Sequence, residues 1–162
     1  MAFDYRISGA SRKEEQYNSV LEQLGAIMAQ ETNLIANMAN ICAVLKTEFG
    51  WFWVGFYLVD TPDELVLGPF QGTLACTRIR KGKGVCGASW QQDATIVVPD
   101  VNRFPGHIAC SSLSKSEIVV PLRVGGAVVA VLDVDSDTYD TFDDTDARWL
   151  QLVMEQLAAR SK

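Results

Sequence analysis

The feature that most limits the fold of this chain is a change of hydrophobic period at Gly50. Before this glycine, apolar residues recur every three or four positions over two stretches, which is the spacing of an amphipathic α-helix. After it come short runs rich in β-branched and aromatic residues, separated by turn residues, which is typical of strands. A helical period returns only near the end of the chain. This order predicts an α+β domain built on an antiparallel sheet.

The pattern divides the chain into helices over residues 13–30, 34–49 and 145–159 and strands over residues 51–59, 65–70, 73–79, 95–98, 117–124 and 127–135. Thr32 or Asn33 can cap the second helix, and Asp143 and Asp144 open the last one. Residues 85–91 are predicted to form one or two helical turns. We expect the N- and C-terminal helices to pack together on one face of the sheet, and a homodimer through that layer would cover their apolar stripes.

Length, charge and the lack of long apolar runs exclude several classes of protein. The 162 residues fit one domain, 1–162, without a repeat or linker. A net charge of −6 argues against nucleic acid and anionic membranes as partners. No stretch is apolar enough for a signal peptide or a membrane span, so we expect a cytosolic protein, in which cysteines are normally reduced. The four cysteines include no CxxC pair, so no structural zinc site is predicted.

The longest predicted loop, residues 100–114, carries the cysteine with the strongest sign of reactivity. Cys110 ends the segment Gly106-His107-Ile108-Ala109-Cys110, and loops of this length usually serve a function. An unperturbed thiol is only about 3 per cent ionised at neutral pH, so a neighbour must help, and His107 is one candidate. Local packing or capping explains this histidine equally well. Cys42 lies in an apolar helix and is interpreted as a small buried hydrophobic residue.

Three acidic residues lie on the predicted hairpin near the end of the chain. Asp133 and Asp135 are two apart in one strand, so they share a face. Taken alone, a solvated strand end explains this pair better. A two-residue Gly125-Gly126 loop places Glu117 opposite Val134, whereas a three-residue loop or a bulge places it opposite Asp133. In that register three carboxylates converge, at least one pKa rises, and the cluster offers an acid near neutral pH or a site for an ammonium group.

With these segments in view, nearly the whole chain resembles the free methionine-R-sulfoxide reductases, enzymes built on a GAF domain. The resemblance does not extend over residues 1–25. Its motifs are Met28-Ala-Gln-Glu-Thr-Asn33, Trp53-Val-Gly-Phe-Tyr57, Leu67-Gly-Pro-Phe-Gln-Gly72, Ala75-Cys76, Gly84-Val-Cys-Gly87, Gly106-His-Ile-Ala-Cys110, Ser116-Glu-Ile118 and Leu132-Asp-Val-Asp-Ser136. The resemblance implies a single GAF domain that uses thiols to reduce free L-methionine-(R)-sulfoxide.

The resemblance also implies a role for each of three cysteines. Cys110 is implied to attack the sulfoxide sulfur, and Cys76 to resolve the resulting sulfenic acid as a disulfide. Cys86 is implied to assist and to be able to form a disulfide as well. An external dithiol, by resemblance thioredoxin, then restores the thiols, and no metal or bound cofactor is required. Taken one at a time, each of these cysteines is also explained as a small buried residue.

The substrate-binding residues are implied in the same way. Glu117, Asp133 and Asp135 match carboxylates that supply an acid and hold the substrate ammonium, since sulfoxide oxygen leaves as water only when it is protonated. Trp53 and Tyr57 match the aromatic residues around the methyl-sulfoxide end. These two are four apart and share a strand face, although core packing is the commoner role for such side chains.

Three other interpretations stay open. A GAF module that binds a small ligand without chemistry has no need of three cysteines in or beside loops. A thiol-based redox sensor shares the cysteines but has no substrate. A metal site formed by Cys76, Cys86, His107 and Cys110 has irregular ligand spacing. Turnover of free methionine sulfoxide separates the first two from an enzyme, and metal analysis of the purified protein tests the third.

Overall fold

The computed structural model describes residues 3–161. Its helices are α1 (Lys13–Ile27), α2 (Leu34–Phe49), α3 (Gly84–Gln92) and α4 (Asp144–Arg160). Its strands are β1 (Trp53–Thr61), β2 (Glu64–Gln71), β3 (Arg78–Arg80), β4 (Ile96–Val98), β5 (Ser116–Val124) and β6 (Ala127–Ser136). A 3-10 turn at Val101–Arg103 follows β4.

The strands form one antiparallel sheet in the order β3-β2-β1-β6-β5-β4. Every predicted helix and strand is present, most of them within three residues of the predicted bounds, so the α+β fold is confirmed. β3 is the main difference, because it covers only the last part of the stretch that the sequence predicts. The carbonyls of Thr73 and Cys76 accept hydrogen bonds from the side chains of Trp53 and Tyr57 instead of pairing with a strand.

Local sequence signals fix the ends of the long helices. Asn33 caps α2, because its side chain accepts a hydrogen bond from the backbone N–H of Ala36. Gly50 follows α2 in the left-handed conformation, with φ of 65°, which is favourable for glycine. Asp143 caps α4 and forms a capping box with Asp146. Gly50, the residue at which the hydrophobic period changes, therefore also ends α2.

Helices α1, α2 and α4 pack on one face of the sheet and enclose the larger apolar core, as predicted. Asp146 is buried between α1 and α4. Its carboxylate accepts hydrogen bonds from the Tyr17 hydroxyl at 2.6 Å and from the Lys13 ammonium at 2.6 Å. This paired carboxylate joins the first and last helices. No helix within residues 3–161 is long and apolar enough to cross a bilayer.

The other face of the sheet carries a smaller apolar core. Helix α3, the 3-10 turn and all six strands supply its buried residues, which are Trp53, Tyr57, Leu65, Ile79, Val85, Cys86, Trp90, Val98, Val101, Val119 and Val131. A pocket opens beside this core between the sheet, α3 and the loop that precedes β5. The sheet therefore separates the helical layer from the layer in which the candidate functional residues collect.

The hairpin of β5 and β6 closes through a two-residue loop and contains a bulge. Val128 and Ala130 pair with consecutive residues of β5, which leaves Val129 as an extra residue in β6. Regular alternation along this strand predicts Val128 on the same face as Ala130, and that prediction is wrong. Val128 packs instead against the pocket-side core, because the extra residue reverses the alternation of the strand.

Candidate active site

Three carboxyl groups line the pocket, and the strand pairing brings them together. Glu117 of β5 lies directly opposite Asp135 of β6, and Asp133 lies opposite Val119. The predicted pairing of Glu117 with Asp133 is wrong. The bulge adds its extra residue to β6 instead of lengthening the loop, so the partner of Glu117 is Asp135. All three carboxyl groups still lie on one face, since residues two apart in a strand point the same way. We call Glu117, Asp133 and Asp135 the carboxylate cluster.

Two residues of the carboxylate cluster are buried, and the third, Asp135, is half-buried. Glu117 is 5% exposed and Asp133 is 6% exposed. Burial and the neighbouring carboxylates raise the pKa of Glu117 and of Asp135 well above the usual range, and burial also raises the pKa of Asp133. Asp133 Oδ1 has no hydrogen-bond partner among the described residues. The cluster therefore holds protons more tightly than ordinary carboxyl groups do and can accept a further donor or a cation.

His107 is the one basic side chain, within residues 3–161, at ion-pair distance from the cluster. Its Nε2 lies 3.7 Å from Glu117 Oε1. Burial lowers the pKa of the imidazole, so the ring carries little positive charge at neutral pH. The sequence offers His107 either as a helper of Cys110 or as a packing residue. In the structure its ring lies against Glu117 and lines the pocket.

Cys76 and Cys110 form a disulfide at the mouth of the pocket, with their Cα atoms 5.5 Å apart. The irregular stretch before β3 supplies Cys76, and the loop before β5 supplies Cys110. Cys110 is exposed and Cys76 is half-buried. Both line the same pocket as the carboxylate cluster. The pairing that the family resemblance implies is therefore present, and an accessible disulfide of this kind is open to thiol exchange.

The other two cysteines are free and buried. Cys86 is the third residue of α3 and lines the pocket. Burial and the nearby carboxylates raise the pKa of its thiol well above the usual value. Cys42 lies in the helical core, where burial raises the pKa of its thiol to about 12. The structure thus brings Cys86 to the candidate site and leaves Cys42 as the inert residue that the sequence predicts.

Trp53 and Tyr57 form the aromatic wall of the pocket. Their ring centroids lie 6.1 Å apart on the same face of β1, and Trp53 is paired with Asp135 of β6. The indole N–H donates to the Thr73 carbonyl at 2.9 Å, and the Tyr57 hydroxyl donates to the Cys76 carbonyl at 2.8 Å. Because both polar ends hold the segment that carries Cys76, the ring faces are the parts offered to the pocket.

Two glycines position this wall, and sequence reasoning missed both of them. A Cβ at Gly55 would lie 2.5 Å from the Cβ of Phe70 and would overlap the Trp53 indole. A Cβ at Gly72 would lie 2.5 Å from Cδ1 of the same indole. A glycine inside a predicted strand is a signal of close approach, and that signal was available at Gly55.

The chemistry open to this pocket follows from its parts. Two thiols can deliver two electrons and end as a disulfide. Carboxyl groups with raised pKa values can donate a proton, and their ionised forms can bind a cationic group. Aromatic faces accept an apolar end of a ligand. The site therefore has the composition of a thiol oxidoreductase for a small molecule that carries a positive charge.

The fold and the site define a class of protein. The family model described as the GAF domain matches residues 31–159. The chain therefore belongs to the GAF domain family, which confirms the fold class predicted from the sequence.

Comparison with similar proteins narrows this class. GAF domain-containing protein A of Dictyostelium discoideum is 59% identical over 97% of this chain and 99% of its own length. The free methionine-R-sulfoxide reductase of Escherichia coli is 43% identical over 90% of this chain and 88% of its own length. The structure of free methionine-R-sulfoxide reductase from Neisseria meningitidis, in complex with its substrate, shows 55% identity and a TM-score of 0.92, covering 98% of this chain and 94% of that one. Within the GAF proteins, the chain is thus a member of the free methionine-R-sulfoxide reductase family, whose named members are oxidoreductases.

Proposed function

We propose that this chain reduces free L-methionine-(R)-sulfoxide to methionine, with Cys110 as the nucleophile. The observation that carries the proposal is the Cys76–Cys110 disulfide at a pocket lined by the buried Glu117 and Asp133 and the half-buried Asp135. The thiol pair would supply the electrons, and the carboxyl groups would recognise an amino acid. The choice of substrate follows from the family, since the relatives from N. meningitidis and E. coli are named for it.

In the proposed first step, the Cys110 thiolate attacks the sulfoxide sulfur and the S–O bond breaks. The substrate sulfur gains two electrons and Cys110 loses two, so the oxygen ends on Cys110 as a sulfenic acid. This transfer consumes one proton. The cluster can supply it, because burial and the neighbouring carboxylates raise the pKa of Glu117 and of Asp135 and so favour their protonated forms.

In the second step, the Cys76 thiol attacks the sulfenic sulfur of Cys110 and expels water. The product is the Cys76–Cys110 disulfide, the state that the structure holds. An external dithiol then reduces this bond by exchange and is itself oxidised, and thioredoxin is the donor in this proposal. Cys86 keeps the assisting role that the family resemblance implies.

The proposal also explains how a free amino acid would be held. An ionised carboxylate of the cluster would accept charge-assisted hydrogen bonds from the substrate ammonium. The methyl-sulfoxide end would then pack against the faces of Trp53 and Tyr57, whose polar atoms are already engaged. A residue inside a protein has no ammonium of its own, so the proposed substrate is the free amino acid.

The direct test is NADPH consumption coupled through thioredoxin reductase and thioredoxin, with the R and S sulfoxides assayed separately. We expect consumption with the R epimer and none with the S epimer. Turnover with dithiothreitol but not with thioredoxin would reject thioredoxin as the reductant and leave the proposed reaction in place. Binding of the R epimer without turnover under either reductant would instead favour a sensor.

Three further predictions from the sequence belong to this proposal. They are a homodimer through the helical layer, a cytosolic location, and activity without a bound cofactor. Light scattering of the purified protein measures the first, fractionation of cells the second, and turnover after exhaustive dialysis against a chelator the third.

A further inference from the structure

Cys86, Glu117 and Asp133 bring three potential metal ligands together from α3, β5 and β6. The Cys86 sulfur and one carboxylate oxygen each from Glu117 and Asp133 lie within 4.8 Å of one another, and all three residues are buried. Zinc bonds to sulfur and oxygen at about 2.0–2.3 Å, so one ion between these atoms can reach all three after small side-chain rotations. Of the ligand set that the sequence suggests, Cys76 and Cys110 are instead joined in the disulfide.

A second observation points to the same place. Asp133 Oδ1 is buried and has no hydrogen-bond partner among the described residues, and such an oxygen is unfavourable unless a ligand satisfies it. No lysine or arginine within residues 3–161 forms an ion pair with Asp133 or Glu117. A cation held between the carboxylates would satisfy this oxygen and offset the repulsion of like charges.

We propose that Cys86, Glu117 and Asp133 bind one thiophilic divalent cation of the zinc class in the disulfide form of the protein. The sulfur ligand favours zinc or cadmium over magnesium and calcium, which prefer oxygen alone. On binding, the Cys86 thiol and any protonated carboxyl group of Glu117 or Asp133 release their protons to solvent, the sulfur and the carboxylate oxygens bond to the metal, and no electron is transferred. The positive charge of the ion would stabilise the Cys86 thiolate, which burial and the nearby carboxylates disfavour in the ion-free protein.

Three protein ligands leave a fourth position on the ion open to water or to another donor. The ion also takes the place that the proposed function gives to the substrate ammonium. Since one carboxylate cluster cannot hold both cations in the same position, the metal and the free amino acid compete. This competition rests on the proposed function, whereas binding of the ion does not.

The first test uses the full chain carrying Cys42→Ser, with the disulfide intact and no reductant present. Cys86 is then the one free thiol, because Cys76 and Cys110 are joined. Any sulfur-to-metal charge-transfer absorption must therefore come from Cys86. We expect one Cd²⁺ per chain, an ultraviolet charge-transfer band that saturates at that ratio, and displacement of Cd²⁺ by Zn²⁺ but not by Mg²⁺.

Variants of this parent locate the ion. Cys86→Ser should abolish the charge-transfer band, and Glu117→Gln and Asp133→Asn should each weaken the affinity for Cd²⁺ by roughly tenfold or more. Asp63→Asn is the matched control, because Asp63 is an exposed carboxylate in the β1–β2 turn, and it should bind as the parent does. Circular dichroism verifies folding of each variant. A band that persists in Cys86→Ser, or an unchanged affinity in both carboxylate variants, overturns the site.

The second test measures competition in the same oxidised parent protein. Free methionine-R-sulfoxide should reduce the apparent affinity for Cd²⁺ more than the same concentration of glycine, which chelates the metal in solution but lacks the side chain. The N-acetyl derivative has no ammonium and should leave the affinity unchanged. An effect of the sulfoxide no larger than that of glycine overturns the competition, while the charge-transfer band still decides the metal site.

Discussion

The indole of Trp53 lies over Gly55, in the space that any larger residue at position 55 would need for its side chain. Both residues lie on the pocket face of β1, since they are two apart in one strand. Phe70 of β2 stacks on the same indole, with ring centroids 5.3 Å apart and planes at 17°. The glycine therefore determines where the aromatic wall stands relative to the carboxylate cluster.

Gly55→Ala should displace the Trp53 ring and weaken substrate binding. The added methyl group overpacks the strand, which costs about 1–3 kcal/mol of unfolding free energy. In the proposed function Trp53 binds the substrate and takes no part in bond changes, so KM for free methionine-R-sulfoxide should rise more than kcat falls. Steady-state kinetics and chemical denaturation measure the two effects.

The matched comparison is the double variant Gly55→Ala/Trp53→Phe, in which a smaller ring leaves room for the methyl group. Residues in contact are energetically coupled, so the double variant should lose less stability than the two single variants combined. If the losses of unfolding free energy in the two single variants simply add in the double variant, the overlap with Trp53 is not the cause of the loss in Gly55→Ala.

Substitution of single cysteines should separate the steps of the proposed cycle. Cys110→Ser should abolish even one turnover, because the Cys110 thiolate makes the proposed attack on the substrate sulfur. Cys76→Ser should release one methionine per chain and then recycle poorly with thioredoxin, since the sulfenic acid has lost its resolving thiol. Rapid quench with a stoichiometric amount of reduced protein measures the methionine released.

Cys42→Ser is the control in that experiment, and it should turn over as the wild type does. Cys42 lies in the helical core, remote from the pocket lining. Near-normal turnover by Cys110→Ser would remove Cys110 as the nucleophile.

Glu117→Gln should stabilise the ligand-free protein while lowering its activity. The substitution removes a buried acid from beside Asp135, and the new amide can donate to that neighbour. We expect a gain of about 1–3 kcal/mol in unfolding free energy and a loss of about a hundredfold or more in kcat/KM, if Glu117 supplies the proton. Urea denaturation of the disulfide form measures the change in unfolding free energy, and steady-state kinetics measure the change in kcat/KM.

The stabilisation should depend on pH in a defined direction. Burial raises the pKa of Glu117 in the folded protein, so folding opposes its ionisation. Below the pKa of glutamate in the unfolded chain, about 4.3, Glu117 is protonated in both states and its burial opposes no ionisation. As pH rises from there toward the folded pKa, Glu117 ionises in the unfolded chain alone, so the unfolding free energy of the wild type falls. Glutamine does not titrate, so the difference in unfolding free energy between the variant and the wild type should grow as pH rises above about 4. A difference that stays constant from acid to neutral pH contradicts this account.

The proposed pocket should discriminate strongly against a blocked amino group. Acylation removes the charge of the ammonium and adds bulk, which leaves the buried carboxylates without their partner. Free methionine-R-sulfoxide should therefore be reduced efficiently, and N-acetyl-methionine-R-sulfoxide and oxidised protein should not. Comparable kcat/KM values for these three substrates would show that the pocket does not recognise the ammonium group.

Much of the fold is predictable from the sequence because its signals are local. The long helices repeat their apolar residues over several turns, and Asn33, Gly50 and Asp143 cap them by residue-specific chemistry. The short strand β3 is harder to predict, since side chains from a different strand take up the carbonyls that precede it. Local pattern alone cannot report such tertiary contacts.

The candidate site is predictable only in part. Strand alternation alone places Asp133 and Asp135 on one face, but the partner of Glu117 depends on a bulge that no turn residue signals. Only the family resemblance predicts the pairing of Cys76 with Cys110, because a separation of 34 residues carries no information about distance in space. The position of His107 against Glu117 depends on the path of the loop, which has no periodic pattern.

The extra residue Val129 also decides which residues of β5 and β6 lie opposite each other. A regular ladder over the same residues, without the bulge, would place Glu117 opposite Val134, whose side chain lies in the helical core. Deletion of Val129 itself removes the unpaired residue, so Glu117 should stay opposite Asp135 and the pocket face should be preserved. For protein engineers, Val129 is therefore the residue of this hairpin that can be removed without reversing the two faces of the strand.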